Sequence, residues 1–307
     1  MKKRIQNRLA ESRFAFPVMI IYGLAVWLGA GTVAEGAYLQ LAFFVASTLL
    51  MMMLNNTNSL IRIYSRMVSC SFVAMTCAAT FLFSSLESCA TGMCFILFYL
   101  SLLRSYQDKR APGIAFYSFA CLGIASLFFV QILYFVPFLW ILMASNMMAL
   151  THRMFWATVL ALVMPYWFAV GYYVVTNQFD AFIDHFAELA QFEPLLQYEA
   201  LDIHRIATFG LVVLLAVIGI IHYMRNSYQD KIRTRMIFEM FITVDILSFV
   251  FIILQPQHFD NLLPIIIVNT SCLFAHYVAL TRTWLTNVTF IVMCLATLGL
   301  TIFNLMP

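Results

Sequence analysis

Thirty-nine consecutive residues, Ala111 to Ala149, contain no Asp, Glu, Lys, Arg or His. As a single α-helix this run would extend about 58 Å, close to twice the roughly 30 Å hydrocarbon core of a bilayer. It is long enough to cross twice. Gly113, Gly123 and Pro137 interrupt it, and no polar loop marks the turn near Phe128 to Gln131. Two tightly joined or broken helices are therefore expected there.

The remainder of the chain has the same character. Of its 307 residues, 63% are hydrophobic and 10% charged, against about 45–50% and about 25% in soluble domains. The apolar residues fall in blocks of about 16–24, the length of a membrane-crossing helix. Such a composition excludes an ordinary soluble protein and predicts one integral membrane domain over residues 1–307.

Basic residues gather at alternate ends of the blocks, which orients them, because cytoplasmic loops are enriched in Lys and Arg. Lys2, Lys3, Arg4, Arg8 and Arg13 precede a block from Phe14 to Ala34, Glu35 marks a turn, and the next block runs to Leu54 ahead of Arg62 and Arg66. Met67 to Leu86 leads out to Glu87, and the short block Ser88 to Leu103 returns to Arg104, Lys109 and Arg110. The charge-free pair ends at His152 and Arg153. Met154 to Asn177 then leads outward, Ile206 to Met224 inward, Met236 to Leu254 outward, Leu262 to Leu280 inward and Trp284 to Phe303 outward.

The expectation is an all-α polytopic membrane protein of about eleven transmembrane helices, amino terminus in and carboxyl terminus out. Sixteen of the 17 Lys and Arg then lie inside, Arg205 being the exception, while nine acidic residues lie outside, among them Glu35, Asp184, Glu188 and Asp260. Phe14 to Ala34 exceeds the usual 7–15-residue signal h-region, so a retained first helix is expected.

Most of the seven cysteines fall inside apolar blocks, where a thiol behaves as a small hydrophobe. Neither a structural disulfide nor a metal site is expected. No phosphate-binding glycine loop, dinucleotide fingerprint or HExxH occurs, which excludes an ATP-driven pump acting alone and leaves no cofactor or nucleic-acid partner to invoke.

Intramembrane charge is costly and commonly faces a partner or a cavity. Asp245 lies near the middle of its block and Glu239 nearer the inner end. On the antiparallel neighbour, Asn269 matches Asp245 in depth to about 3 Å, and His276 matches Glu239. Two pairs are therefore expected, Asp245 with Asn269 and His276 with Glu239. They serve either as polar glue between helices or as the titrating groups of an ion-coupled transporter.

Between the seventh and eighth blocks, residues 178–205 form an outer interfacial segment. Phe179, Phe182, Ile183, Phe186, Leu189 and Ala190 recur at helical spacing, predicting an amphipathic helix that ends at Glu193-Pro194. Its polar face carries Asp180, Asp184 and Glu188 beside His185. This is either a solvated stripe or a divalent-cation site. Arg205, the single exterior cation, either anchors its helix among lipid headgroups or holds a phosphate or carboxylate. The pentapeptide SYQDK occurs at Ser105–Lys109 and again at Ser227–Lys231, each after an inward helix. The flanks do not align, so it reads as one polar turn used twice, with basic neighbours suited to anionic lipid or a cytoplasmic partner; membrane-protein partners are expected for the chain as a whole.

Two segments, FYSFACLGIASLFFVQILYFVPFLWILM (Phe116 to Met143) and RMFWATVLALVMPYWFAVGYYVVTNQF (Arg153 to Phe179), resemble an uncharacterised multi-pass inner-membrane protein family of Bacteroidetes-type bacteria. Through Gly123, Ala125, Pro165, Tyr166 and Trp167, followed by a long outer loop, the chain is also remotely similar to GT-C-type membrane glycosyltransferases, which use lipid-linked sugar donors. That resemblance implies Glu35 as catalytic base, Asp184 and Glu188 as metal or acceptor contacts, and Arg205 on a donor phosphate. The chain departs from the pattern in its first outer loop, a tight turn with Glu35 where the family has a long loop with a catalytic Asp. The resulting expectation is an envelope-related inner-membrane protein, either a degenerate GT-C-like transferase or an accessory subunit. The alternative is an ion-coupled transporter or a flippase for lipid-linked sugar.

Overall fold

The computed structural model describes residues 4–192 and 201–306, and among them every regular element is helical. Helix α1 (Ile5–Ala10) precedes α2 (Ala15–Gly29), α3 (Tyr38–Asn58), α4 (Met67–Ala78), α5 (Leu86–Leu102), α6 (Pro112–Phe128), α7 (Val136–Ser145) and α8 (His152–Val175). Helix α9 (Phe179–Ala187), α10 (Ile203–Asn226), α11 (Ile232–Leu254), α12 (Phe259–Leu280) and α13 (Trp284–Leu305) complete the chain. Seven of these, α3, α5, α8 and α10 to α13, are long and apolar enough to cross a membrane, some of them with short helical extensions. The shorter apolar helices are α2, α4, α6 and the segment Val130–Ser145 that contains α7.

The centre is α12. Its residues from Ile265 to Ala279 are all buried, the pattern of a helix that is apolar all round and surrounded by others. Helices α4, α5, α10 and α11 pack on it. Small residues set two of the close crossings. A Cβ on Gly219 would stand 2.9 Å from the Leu273 backbone, so a larger residue would push α10 off α12. A Cβ on Gly123 would meet the carbonyl oxygens of Ala161 and Leu162 and the ring of Pro165, each at 3.1 Å. Pro165 has no N–H to offer the Ala161 carbonyl, and Gly123 is what lets α6 lie against that stretch of α8.

The charge-free run reverses direction at Phe129. Helix α6 ends at Phe128, a 3-10 turn covers Val130–Phe135, and α7 follows with Pro137 in its first turn, where a missing N–H does no harm. The Gln107 N–H donates to the Met147 carbonyl at 2.9 Å, so the run finishes beside the connection from which it set out. The block from Met67 to Leu86 is broken rather than continuous: α4 stops at Ala78 and a 3-10 turn spans Thr80–Ser84.

Hydrogen bonds sort the connections between two ends. At one end Arg4 reaches the Arg282 carbonyl, Arg62 reaches Gln229, Arg233 reaches both Asn58 and the Leu103 carbonyl, and Asn146 reaches Glu239. Helix α1 closes the same end, its Gln6 donating to the Val278 carbonyl at 2.6 Å and its Asn7 to that of Thr281 at 2.9 Å, which satisfies terminal carbonyls of α12. At the other end Gln40 reaches the Ser84 carbonyl, Ser88 reaches Asn261, Arg205 reaches Asp260, and Asn304 links α13 to α4 and α10.

Helix α9 lies on α8 at this second end. Phe182 and Phe186 pack against Tyr166, with Phe182 also on Tyr173, while Asp180, Asp184 and Glu188 are exposed. The amphipathic helix ends at Ala187 and continues as a 3-10 turn to Ala190; the expected stop at Glu193-Pro194 lies outside the described residues.

Candidate functional site

The turn between α2 and α3 is held stiffly. Gly31 and Gly36 adopt φ of +75° and +89°, left-handed values that a side chain would resist. Between them the Glu35 N–H bonds the Gly31 carbonyl at 3.3 Å, and the Ala37 N–H bonds that of Thr32 at 3.0 Å. This turn presents Glu35 to a cavity of about 390 Å3 between the α2–α3 turn, the 3-10 turn after α4, the start of α10 and the end of α13. That volume falls within the roughly 300–1,000 Å3 usual for small-molecule sites. Its polar lining comprises Thr32, Glu35, Thr80, Ser84, Asp202, His204, Arg205 and Asn304.

Asn304 organises one wall. Its Nδ2 donates to the Ala78 carbonyl at 2.6 Å and to the Thr208 hydroxyl at 2.8 Å, which uses both amide protons. The Oδ1 is therefore an acceptor, and His204 Nδ1, 2.9 Å away, carries the proton of that bond. Neutral His204 consequently keeps its lone pair on Nε2, and its ring stacks on Phe303 with centroids 4.6 Å apart. Thr80 donates to the Asn304 main-chain carbonyl at 2.8 Å.

Arg205 stands beside this wall but does not present a free charge. Its Nε and Nη2 each lie 2.9 Å from one oxygen of Asp260, a two-pronged pair, and its guanidinium rests over the Phe81 ring. Asp202 caps α10 by accepting from the Ile203 N–H at 2.7 Å. Glu35 is exposed and makes no side-chain hydrogen bond or ion pair with a described residue. The Thr32 hydroxyl is buried without a partner, the residue being only 8% exposed.

The cavity thus brings Glu35 and Arg205 together, but Asp184 and Glu188 do not line it. Those two belong to α9 and the turn after it, which lean on α8, the end of α6 and the turn before α7. There His185 Nε2 meets the Ser126 carbonyl at 3.0 Å, and the Tyr134 hydroxyl donates to the Leu189 carbonyl. Among the described residues no group of three or more His, Cys, Asp and Glu side chains is placed to hold a metal.

Within the bundle both expected pairs are replaced by others. Asp245 and Asn269 are each fully buried, yet Thr270 donates to Asp245 Oδ2 at 3.0 Å and Tyr99 donates to Asn269 Oδ1 at 2.8 Å. Asp245 Oδ1 and Asn269 Nδ2 have no partner. His276 does not meet Glu239. Its Nε2 lies 2.9 Å from Asp230, in the second SYQDK turn, while Glu239 accepts from Asn146 at 2.9 Å. Asp230 lies in the turn before α11 rather than on it, so matching positions along two helices does not reveal it, while the face that α12 turns to Asp245 carries Thr270 rather than Asn269.

The two SYQDK copies share one hydrogen bond on different backbones, Gln107 taking a left-handed φ of +58° where Ser227–Gln229 form a 3-10 turn. In each, the Asp N–H bonds the Ser carbonyl three residues earlier, at 2.9 Å for Asp108 and 3.0 Å for Asp230. Only the second is drawn into the bundle, where Asp230 sits between His276 and Arg62. The residues that sequence reasoning missed are Thr32, His204 and Asn304. Their signal is absent from local spacing, because all three acquire a role only when α2, α10 and α13 converge.

No family model matches this chain, nor does any curated protein or solved structure.

Proposed function

We propose that the chain is an eleven-crossing protein of a bacterial inner membrane, amino terminus inside, that binds the polar head of an envelope lipid or lipid-linked saccharide in its outward cavity. The apolar helices supply eleven segments, and the end-sorted hydrogen bonds agree with alternate crossing. The excess of Lys and Arg assigns the α1 end to the cytoplasm, so the cavity beside Glu35 opens outward.

The observation that carries this reading is the cavity itself, with polar and apolar residues sharing its lining at one end of a largely apolar bundle. Binding without group transfer is favoured over a GT-C-like transferase by the state of Arg205. Asp260 already offsets the charge of Arg205 through two of its five N–H groups, which weakens its pull on a donor phosphate, and the α9 carboxylates do not line the cavity. The role that follows is a degenerate GT-C-like protein or an accessory subunit that holds a lipid-linked ligand for an envelope-building partner.

Native mass spectrometry of the full chain released from native membranes tests this directly. A retained lipid or lipid-linked saccharide is expected, and Ser84→Trp, which fills the cavity from an exposed position, displaces it. Equal retention in the filled variant contradicts the reading.

Ion-coupled transport or flipping through Asp245 is the second reading, favoured by the carboxylate oxygen left without a partner mid-helix. A proton flux in reconstituted vesicles that Asp245→Asn abolishes would move it to first place.

A further inference from the structure

Independently of what the outward cavity holds, we infer that the starts of α6 and α8, at the end of the bundle that α1 closes, form a docking surface for an anionic phospholipid. The two helices run parallel and in step. The Gln107 N–H meets the Met147 carbonyl at 2.9 Å and the Tyr166 hydroxyl meets that of Ser126 at 2.8 Å, each pair forty positions apart in the chain. Helix α6 starts at Pro112 and α8 at His152, again forty apart, so both start at one level. The first SYQDK turn and the start of α8 therefore bring Lys109, Arg110, His152 and Arg153 to one rim of the bundle.

The cations of this rim are uncommitted. Lys109, Arg110 and Arg153 are exposed, and their side chains make no hydrogen bond or ion pair with a described residue. Around the second SYQDK turn, by contrast, Arg62 reaches Gln229 and Asp230, and Arg233 reaches Asn58 and the Leu103 carbonyl. Asp108, the acid of the first turn, accepts the Arg110 N–H at 2.8 Å through Oδ1. With Arg104 just before the turn, four cations face that one acid, a surplus of three positive charges. His152 adds a donor. Trp156 Nε1 donates to its Nε2 at 3.0 Å, so the neutral ring carries its proton on Nδ1. A phosphodiester arriving here finds ammonium, guanidinium and imidazole N–H groups, all of them able to donate to its oxygens.

The surface that continues from the rim makes the ligand a lipid. Arg153, Trp156 and Leu160 follow at i, i+3 and i+7 along one face of α8, and all three are exposed. On α6, Gly113 lies level with Arg153 and Tyr117 one turn farther along, both exposed. Charge at the rim, Trp and Tyr about one turn deeper and bare aliphatic side chain beyond reproduce the order of headgroup, interface and acyl chain across one leaflet. A soluble phosphate or an acidic peptide would use only the first of these layers.

Full-length protein in nanodiscs of equimolar phosphatidylglycerol and phosphatidylethanolamine, analysed by native mass spectrometry for retained lipid, tests the inference, and saturation-transfer NMR on the detergent-solubilised chain reports binding of inorganic phosphate. Phosphatidylglycerol should be retained about tenfold or more above phosphatidylethanolamine. Each cation near a membrane surface contributes about fivefold, so Arg110→Gln/Arg153→Gln should abolish the preference, whereas Arg110→Lys/Arg153→Lys, which keeps the charge, should keep most of it. Arg225→Gln/Lys231→Gln removes equal charge from exposed positions at the same end and should leave the preference unchanged. Ser84→Trp, at the opposite end, should also leave it unchanged, which separates this surface from the outward cavity. Equal loss in the two Gln double variants would tie retention to overall charge and overturn the inference. Retention indifferent to the headgroup, or phosphate binding that Arg110→Gln/Arg153→Gln removes without any lipid preference, would overturn it as well.

Discussion

Replacing Asn304 by Ala removes three side-chain hydrogen bonds at once: to the Ala78 carbonyl, to the Thr208 hydroxyl and from His204. Polar bonds between membrane helices average about 0.6 kcal/mol each, with a maximum near 1.7. Three therefore amount to about 2 kcal/mol, a shift of about 30-fold in a folding equilibrium. The main-chain bond from Thr80 to the Asn304 carbonyl survives the change, which keeps the end of α13 from detaching outright.

Equilibrium unfolding of the purified chain in mixed micelles, followed by circular dichroism and tryptophan emission, reads this shift. Asn304→Asp sharpens the test. A carboxylate still accepts from His204 Nδ1 but donates to neither Ala78 nor Thr208, so it should recover only part of the loss. Thr208→Val removes one of these bonds together with the hydroxyl's own bond to the His204 carbonyl at 2.7 Å, and should cost less than Asn304→Ala. If both Asn304 variants unfold with the wild-type protein, the wall is not held as described, and the tautomer assigned to His204 loses its basis.

Four further outcomes follow from the same structure. Gly219→Val should destabilise by about 1–3 kcal/mol in the same unfolding assay, the usual cost of overpacking, whereas Gly210→Ala, with nothing near its added Cβ, should leave the midpoint within error. Arg205→Ala should cost more than the double variant Arg205→Ala/Asp260→Asn, since the single change strands a half-exposed carboxylate; equal costs would show that the pair is not coupled. Replacing Asp230 with Ala should remove the acceptor shared by His276 and Arg62 and loosen the end of the bundle that α1 closes, seen as faster amide exchange in Ser227–Lys231, while Asp108→Ala leaves that turn unaltered. Ser126→Ala should weaken the α6–α8 contact by about 0.6 kcal/mol, because Tyr166 loses the hydroxyl that it meets at 2.8 Å.

Much of the architecture is legible in the chain because bilayer physics acts on composition over long windows. The charge-free run from Ala111 to Ala149 reverses near Phe129, as its length and lack of a polar loop require. Phe179–Ala187 form an amphipathic helix whose Phe182 and Phe186 rest on α8 and whose acids are exposed. What does not show is anything dependent on the rotation of one helix against another. Nothing in the spacing tells that Asp245 faces Thr270 rather than Asn269, or that Asp230 turns inward to His276 while the matching Asp108 remains at the surface. Likewise α1 is too short to carry a periodic signal, and its place is fixed by Gln6 and Asn7 closing the end of α12. The cavity gathers residues from four distant segments, and only Glu35 and Arg205 stood out beforehand, one for its loop and the other for its charge.

The orientation of the two ends underlies every functional statement, and site-directed thiol labelling of intact spheroplasts measures it. In a background with the seven native cysteines replaced, a membrane-impermeant maleimide should modify Glu35→Cys and Asp184→Cys from outside, and should reach Lys109→Cys only after permeabilisation. Labelling of Lys109→Cys in intact cells, with Glu35→Cys protected, would place the cavity in the cytoplasm and contradict the account.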